Sequence, residues 1–453
     1  MIPVVTPEEM AAIDAAAPEP FEVLVERAGA AVARRAVALL GGTYGRRVAV
    51  IAGRGHNGDD GRVAARRLAA AGVRVTVHDP GAPLPGHGVD LVVDAAYGTG
   101  YVARGPMPDV ATGGAPVLAV DIPSGVCGRT GVAAEGTLAA TETVTFAALK
   151  PGLVFHPGRA LAGRVVVADI GLDTTTARAF VVTEDDVAGW LPPRPVDTHK
   201  WRTACLVVAG APGMSGAAAL CARAALRSGS GYVRVVLAEG AATDALPVEA
   251  VVTARPTRGW ADAALADVDR FAAAVLGPGI GRAPTVRADV IAFLDRCPLP
   301  VVVDGDALAA LGTDAAAVLR GRAAATVLTP HDGEFAALTG APPGDDRIDA
   351  ARTLAAATGA VVLLKGPTTV VAAPDGAVAL SLRGDARLAT AGTGDVLAGI
   401  VGALLACGLE AARAAAAGAW LHGAAAEAGP VGGLVAGDLV DLLPTVRPVG
   451  GAS

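Results

Sequence analysis

Apolar positions along this chain fall in short β-branched runs separated by Ala-rich stretches. That alternation of strand and helix builds a mainly parallel sheet covered on both faces. Residues 7–40 are amphipathic and predict helix, broken near Pro18 and Pro20. Residues 47–52 predict a buried strand, 53–61 a glycine-rich loop, 63–71 a helix and 73–77 a strand. Further strands are predicted at 90–93, 117–120, 143–146 and 164–168. The pattern breaks at Leu191-Pro192-Pro193-Arg194-Pro195, where proline resists both helix and central strand. This reads as a linker between two α/β domains, 1–190 and 196–453. The second half predicts strands at 205–209, 232–237, 273–276, 301–303, 326–328 and 361–364. A hairpin over 369–373 and 378–382 follows, turned by Pro374-Asp375-Gly376, and a long Ala/Gly-rich helix starts at Val396. The halves share no motif, so no internal repeat is assigned.

Composition narrows the function classes. The net charge is −7 with scattered basic residues, which argues against nucleic acid as a partner. The longest charge-free apolar run, 396–409, falls short of the ~20 residues of a membrane span. Residues 1–10 carry acids and no basic stretch, so no signal peptide is expected. Five dispersed cysteines fit a reducing cytoplasm better than a disulfide framework or a zinc site. The chain has no Gln, a single Asn (Asn57), and only Lys150, Lys200 and Lys365 among its 37 Lys and Arg. A compact ammonium and a planar guanidinium are not interchangeable in a tight site, so these four residues are marked for attention.

Three loops of the first half leave predicted strand ends, where open α/β sheets bind ligands. They are residues 53–61, 94–100 and Asp121-Ile122-Pro123-Ser124-Gly125. Gly53, Gly55 and Gly58 formally satisfy the dinucleotide fingerprint, and Asp79 ends the next strand, so a dehydrogenase is one reading. Asp59 and Asp60 count against it, because they would repel a pyrophosphate at that helix start. Asn57 has two readings, a residue tolerant of left-handed backbone or a ligand through its side-chain oxygen. Singly, Asp94 and Asp121 suit turn caps and Ser124 a turn; grouped at three strand ends they suit a site.

The second half carries the sharper signal. Thr390-Ala391-Gly392-Thr393-Gly394-Asp395 leads straight into an apolar helix, which sets free N–H groups and the positive helix end beside a carboxylate. Other predicted strand ends carry Ser215-Gly216-Ala217, Gly277-Pro278-Gly279-Ile280-Gly281 and Asp304-Gly305-Asp306. Two more carry Thr329-Pro330-His331-Asp332-Gly333-Glu334 and Lys365-Gly366-Pro367-Thr368-Thr369. His331 alone would read as a satisfied residue at a helix start. Lys365 alone would read as a surface cation, yet it follows a buried strand, where a point charge on phosphate explains it better.

The first-half loops resemble the Gly-x-Gly-Asn-Asn-Gly-Gly-Asp-Gly segment of the NAD(P)H-hydrate epimerase family over about residues 7–172, with His56 and Asp59 as departures. The second-half motifs, in their order, resemble the ADP/ATP-dependent NAD(P)H-hydrate dehydratase family over about residues 197–443. Gly305 and Trp201-Arg202-Thr203 depart from that pattern. The resemblance implies a Rossmann-like three-layer α/β domain followed by a ribokinase-like α/β domain. In the first it implies substrate contacts at His56, Asn57, Gly58, Asp59, Asp60, Gly98, Thr99, Gly100, Arg104 and Asp121. It implies acid/base roles for Asp60 and Asp121, and a potassium ion on Asn57, Asp94 and Ser124. In the second it implies hydrate contacts at Ala217, Gly279, Gly281, His331 and Asp395, with Asp395 the catalytic base. Nucleotide contacts are implied at Lys365, Gly366, Pro367, Thr368, Thr369 and Gly394, with Mg²⁺ accompanying ADP or ATP. The implied substrates are the hydrates of NADH and NADPH, and a cytoplasmic homo-oligomer is expected. A ribokinase-type kinase of a vitamin precursor, carrying a non-catalytic first half, stays open as the alternative.

Overall fold

The computed structural model describes residues 1–84, 88–102 and 105–448. The chain divides into two compact units, Ile2–Ala179 and Phe180–Ser453.

The first unit comprises β1 (Ile2–Val4), α1 (Pro7–Ala15), α2 (Phe21–Leu40), β2 (Arg47–Ala52), α3 (His56–Ala70) and β3 (Arg74–His78). It continues with β4 (Leu91–Ala95), β5 (Val117–Val120), β6 (Glu142–Phe146), the short helices α4 (Pro151–Val154) and α5 (Gly158–Leu161), and β7 (Arg164–Ala168). Its sheet runs β3-β2-β4-β5-β6-β7 with every pairing parallel. The predicted break between two helices is present, and Thr6 and Glu9 cap α1 reciprocally. Helices α2 and α3 cover one face, burying Val32, Ala36 and Leu68 against Val48, Val93 and Leu118. They approach closely because Gly29 has no Cβ, which would overlap the Val63 side chain. The strand order reverses at β2, whose neighbours are β3 and β4, and the crevice beyond β2 and β4 is the topological site.

One expectation fails here. Residues 53–61 are not a loop: α3 starts at His56, so residues 56–61 form its first turns. This stretch has no apolar residue, so hydrophobic periodicity is blind to it. Asn57 is therefore helical and absent from the residues with positive φ, which removes the left-handed reading of it.

The second unit starts at the strand β8 (Ala179–Val181) on the boundary. It then holds α6 (Glu184–Trp190), β9 (Ala204–Val208), α7 (Ser215–Arg227), β10 (Tyr232–Ala238), β11 (Val251–Arg255), α8 (Trp260–Leu265), β12 (Ala273–Leu276) and α9 (Pro284–Arg296). There follow β13 (Val301–Val303), α10 (Asp306–Leu311), α11 (Ala315–Leu319), β14 (Thr326–Leu328), α12 (Asp332–Thr339), α13 (Arg347–Thr358) and β15 (Val361–Leu364). The hairpin β16 (Thr369–Ala372) and β17 (Val378–Ser381) leads to α14 (Thr393–Ala406), α15 (Ala411–Ala428) and α16 (Ala436–Val446). In the order β15-β14-β13-β12-β9-β10-β11 the strands are parallel, and the hairpin adds two antiparallel ones. The order reverses at β9, between β10 and β12. Glycine shapes α14: a Cβ on Gly399 would overlap the Cys221 carbonyl of α7, and one on Gly402 would overlap Val275 of β12. Helix α6 also belongs to this unit, with Val187 fully buried in its core. The division thus falls ahead of the proline-rich segment. Edge strand β11 was not predicted: its β-branched run Val251-Val252-Thr253 is short, shows no alternation, and Val251 and Val252 stand exposed at the sheet edge.

Candidate functional site

In the first unit, glycines let the chain double back. A Cβ on Gly53 would overlap the Ala96 carbonyl, and one on Gly58 would overlap the Gly53 carbonyl. Gly58 therefore serves packing, and Asp59 turns to Arg62 at 3.3 Å; neither lines the cavity beyond the strand ends. That cavity, about 520 Å³, is lined by His56, Asn57 and Asp60 from α3, Gly98, Thr99 and Gly100 after β4, and Asp121 after β5. Arg104 lies outside the described residues.

Three features of this cavity were not foreseen. Lys150, 1% exposed, donates to Asp121 Oδ1 at 2.5 Å, Thr145 Oγ1 at 2.8 Å and the Phe146 carbonyl at 3.0 Å. All three ammonium protons are used, so Lys150 holds Asp121 rather than acting as a free base. Asp121 also accepts from Thr145 Oγ1 at 3.0 Å and sits at φ 64°, a left-handed conformation that costs a non-glycine residue energy. Asp14 of α1 adds a third carboxylate. Its carboxyl is raised above the usual range by burial and by Asp121, against Lys150 and His56. Apolar walls complete the cavity: Phe21 packs on His56 with ring centroids 4.4 Å apart, and Tyr97 on Tyr101 at 5.3 Å. The rarity of lysine had marked Lys150 without giving it a role. Met10 and Asp14, four apart on α1, both line the cavity, and only Met10 reads as apolar periodicity.

Burial foremost, then Asp121, Asp59 and Asp14, pushes the Asp60 carboxyl up to about 8, with Lys150 opposing. Asp60 thus keeps its proton at neutral pH while Asp121 is ion-paired. Asn57 is buried, and neither its side-chain oxygen nor its nitrogen has a hydrogen-bond partner. Such a group normally finds one. Behind Ala96 and Tyr97, buried Asp94 accepts from Ser124 Oγ at 2.6 Å and from the Ser124 N–H at 2.9 Å. Ser124 Oγ in turn accepts the Tyr97 N–H at 2.9 Å. Burial raises the Asp94 carboxyl, opposed by those Ser124 bonds.

In the second unit the strand-end motifs converge on the start of α14. A Cβ on Gly279 would stand 3.0 Å from Ala217, so the loops after β9 and β12 touch. Asp306 accepts from the Gly281 N–H at 3.0 Å and from Arg282 at 2.7 Å. Gly392, at φ 89°, turns the chain into α14; the Thr393 N–H bonds the Thr390 carbonyl, which leaves the Gly394 and Asp395 N–H groups for an anion and Asp395 in the first turn. Lys365 reaches this point: its Nζ is 3.5 Å from where a Gly394 Cβ would stand. It pairs with Asp304 at 3.1 Å and Glu334 at 3.4 Å. Burial alone would lower the Lys365 ammonium, but those two carboxylates outweigh it and raise it. Burial first, then Asp304, pushes the Asp395 carboxyl up to about 7, with Lys365 opposing.

His331 caps α12. Its Nδ1 accepts the N–H groups of Gly333 and Glu334 at 3.0 and 3.2 Å, which puts the ring proton on Nε2. The ring is 60% exposed, so the capping role leaves one face for a ligand. Pro367, Thr368 and Thr369 follow Lys365 and Gly366 into β16. Sequence reasoning missed Arg347, which bonds both Asp332 and the Lys365 carbonyl.

A Rossmann-like unit joined to a ribokinase-like unit, with a carboxylate in the first turn of a glycine-led helix, is the class these sheets and sites define. Residues 205–442 match the family described as NAD(P)H-hydrate dehydratase, and residues 21–87 and 78–152 match the YjeF-related protein N-terminus. The bifunctional NAD(P)H-hydrate repair enzyme of Mycobacterium tuberculosis is 41% identical over 85% of this chain and 84% of its own length. The enzyme of that name from Moorella thermoacetica is 37% identical over 98% and 96%. The ADP/ATP-dependent NAD(P)H-hydrate dehydratase of Bacillus subtilis, co-crystallised with ATP and Mg²⁺, superposes with a TM-score of 0.51 at 34% identity. It covers 58% of this chain and 96% of that one. The chain belongs to the family of bifunctional NAD(P)H-hydrate repair enzymes.

Proposed function

We propose that the first unit interconverts the R and S hydrates of NADH and NADPH, and that the second dehydrates the S hydrate at the expense of ADP or ATP. The observation that carries this reading is a pair of separate sheet-end sites, each with a carboxylate in the opening turns of a helix, Asp60 buried and Asp395 half-buried, raised toward the neutral range. Two carboxyl groups held in different states divide into acid and base. In the first site Asp121 takes the proton of the C6 hydroxyl as the C6–N1 bond opens, and Asp60 protonates the ring nitrogen. Rotation of the open aldehyde and reversal of both transfers closes the other epimer. Lys150 fixes Asp121 for that work.

The unpartnered Asn57 oxygen suits a hard monovalent cation together with Asp94 and Ser124, and potassium bound there would order the loops at the cavity floor. In the second site hydroxide is a poor leaving group. Asp395 deprotonates the C6 hydroxyl as it attacks the terminal phosphoryl group, while the α14 N-terminus and Lys365 hold the phosphate. The ring nitrogen lone pair then expels phosphate, and loss of a C5 proton restores the dihydronicotinamide. Oxygen donors at Asp304 and Glu334 suit Mg²⁺, which would balance nucleotide charge when bound. Free cysteines among the described residues agree with a cytoplasmic setting.

Incubation with mixed NADH hydrates, ADP and Mg²⁺ should return all the NADH absorbance. A stable phosphate ester in place of NADH would favour a vitamin-precursor kinase instead.

A further inference from the structure

Arg347 is the first residue of α13, and its guanidinium lies between two loops that meet different ligands. Nη1 and Nη2 donate to Asp332 Oδ2 and Oδ1 at 3.0 and 2.8 Å, a planar two-point pair. Nη2 also donates to the Lys365 carbonyl at 2.7 Å. Asp332 follows His331, the hydrate contact, and Lys365 opens the nucleotide loop. The side chain is only 15% exposed. A Cβ on Gly366 would come within 2.9 Å of Nη2, so glycine at that position gives the guanidinium its room.

A second link joins the same loops. Lys365 Nζ lies 3.4 Å from Glu334 Oε2 and 3.1 Å from Asp304. Those bonds use the ammonium, and a nucleotide phosphate competes for the same ammonium. Arg347 grips the nucleotide loop through a main-chain carbonyl, which no phosphate displaces. With nucleotide bound, Arg347 still ties the loop to the Thr329–Glu334 turn, a side-chain link added to the main-chain bond from the Lys365 N–H to the Pro330 carbonyl at 2.8 Å.

We propose that Arg347 is a positioning residue that couples the hydrate and nucleotide subsites, so that each ligand, on ordering its own loop, raises affinity for the other. The proposal rests on the assignment of Lys365–Thr369 to nucleotide and of His331 to hydrate. Such coupling is reciprocal. A lysine cannot replace Arg347, since a point charge does not span two carboxylate oxygens and a carbonyl together.

Initial rates over a grid of ADP and S-hydrate concentrations, at saturating Mg²⁺, give the factor by which each ligand changes the apparent affinity for the other. The wild-type factor is expected within the ~5–150-fold span of coupled sites. Arg347→Met should bring it to one, raising both KM values while kcat per folded enzyme changes less. Asp332→Asn should do the same, and the double variant should be no worse than either single one. Arg347→Lys keeps the charge and serves if the methionine variant does not fold; it too should lose the coupling. A factor of one in wild type, an unchanged factor in the Arg347 variants, or a fall in kcat alone overturns the proposal. Lys365→Met is the control: an unaltered KM for ADP there would mean that the nucleotide assignment has failed, not the coupling.

Discussion

Asp60 and Asp395 both stand in the opening turns of a helix at the switch point of a parallel sheet, and burial raises both. Their neighbours differ. Asp60 shares an apolar-walled cavity with Asp14 and Asp121, and the cavity's ammonium, Lys150, is fully engaged by Asp121, Thr145 and Phe146. Its proton stays. Asp395 faces the free N–H groups of α14 and the Lys365 ammonium, which is held by two exchangeable ion pairs. There the proton is given up more readily, and an arriving phosphate has somewhere to bind. In the proposed roles the same physical device serves as an acid in one unit and a base in the other, with a differently engaged lysine beside each.

The largest effect should come from Asp395→Asn, which is nearly isosteric and removes the base. Dehydration should fall ~10²–10⁴-fold with epimerisation intact, as read by NADH recovery and by the R/S ratio. Near-normal dehydration would deny Asp395 its role. Lys150→Met should follow, because it leaves the partly buried Asp121 charge without its cation. A loss of stability in the first unit below the ~3–5 kcal/mol of a fully buried pair is expected, with epimerisation abolished and dehydration of the S hydrate retained. A first unit that melts as the wild type does would show that the pair holds nothing in place.

The pH responses should run in opposite directions. Epimerisation needs protonated Asp60 and should decline as pH rises through about 8. Dehydration needs ionised Asp395 and should climb through about 7. Stability has a matching signature. The folded Asp60 carboxyl lies above its unfolded value, so the unfolded chain releases the proton first. Stability of the first unit is then lost as pH rises from the ordinary carboxylate range to about 8. Asp60→Asn should abolish epimerisation and shrink that slope, leaving the part that the raised Asp14 and Asp94 carboxyls contribute. Parallel pH profiles for the two reactions would contradict the division into acid and base.

Much of this was legible in the sequence, for identifiable reasons. β-branched runs gave nearly every strand of both sheets, because buried parallel strands are apolar on both faces. The glycine-led start of α14 was legible because anion binding at a helix end needs those residues. The start of α3 was not, since residues 56–61 lack any apolar period. Neither Asp14 nor Arg347 carried a local signal: each acts by meeting residues far away in the chain. Helix α6 was assigned to the first half because proline marks a turn and not a domain edge. Deleting residues up to 195 should therefore destabilise the second unit by about 1.5–3 kcal/mol for Val187 alone, relative to a fragment starting at Phe180. Equal melting temperatures would return the boundary to the prolines.

A smaller effect is expected at Asn57. Because it is helical, alanine is the clean substitution. Asn57→Ala should slow epimerisation, with partial recovery as potassium is raised and no change in dehydration. Superimposable potassium curves for variant and wild type would leave Asn57 as a packing residue.

Purified R hydrate, supplied with ADP and Mg²⁺, tests the division of labour most directly. Wild type should convert all of it to NADH through the S epimer. Asp395→Asn should equilibrate R with S and form no NADH. Asp60→Asn should leave R unconverted beyond its spontaneous rate while still dehydrating added S. Recovery of NADH from R by Asp60→Asn at the wild-type rate would contradict the account.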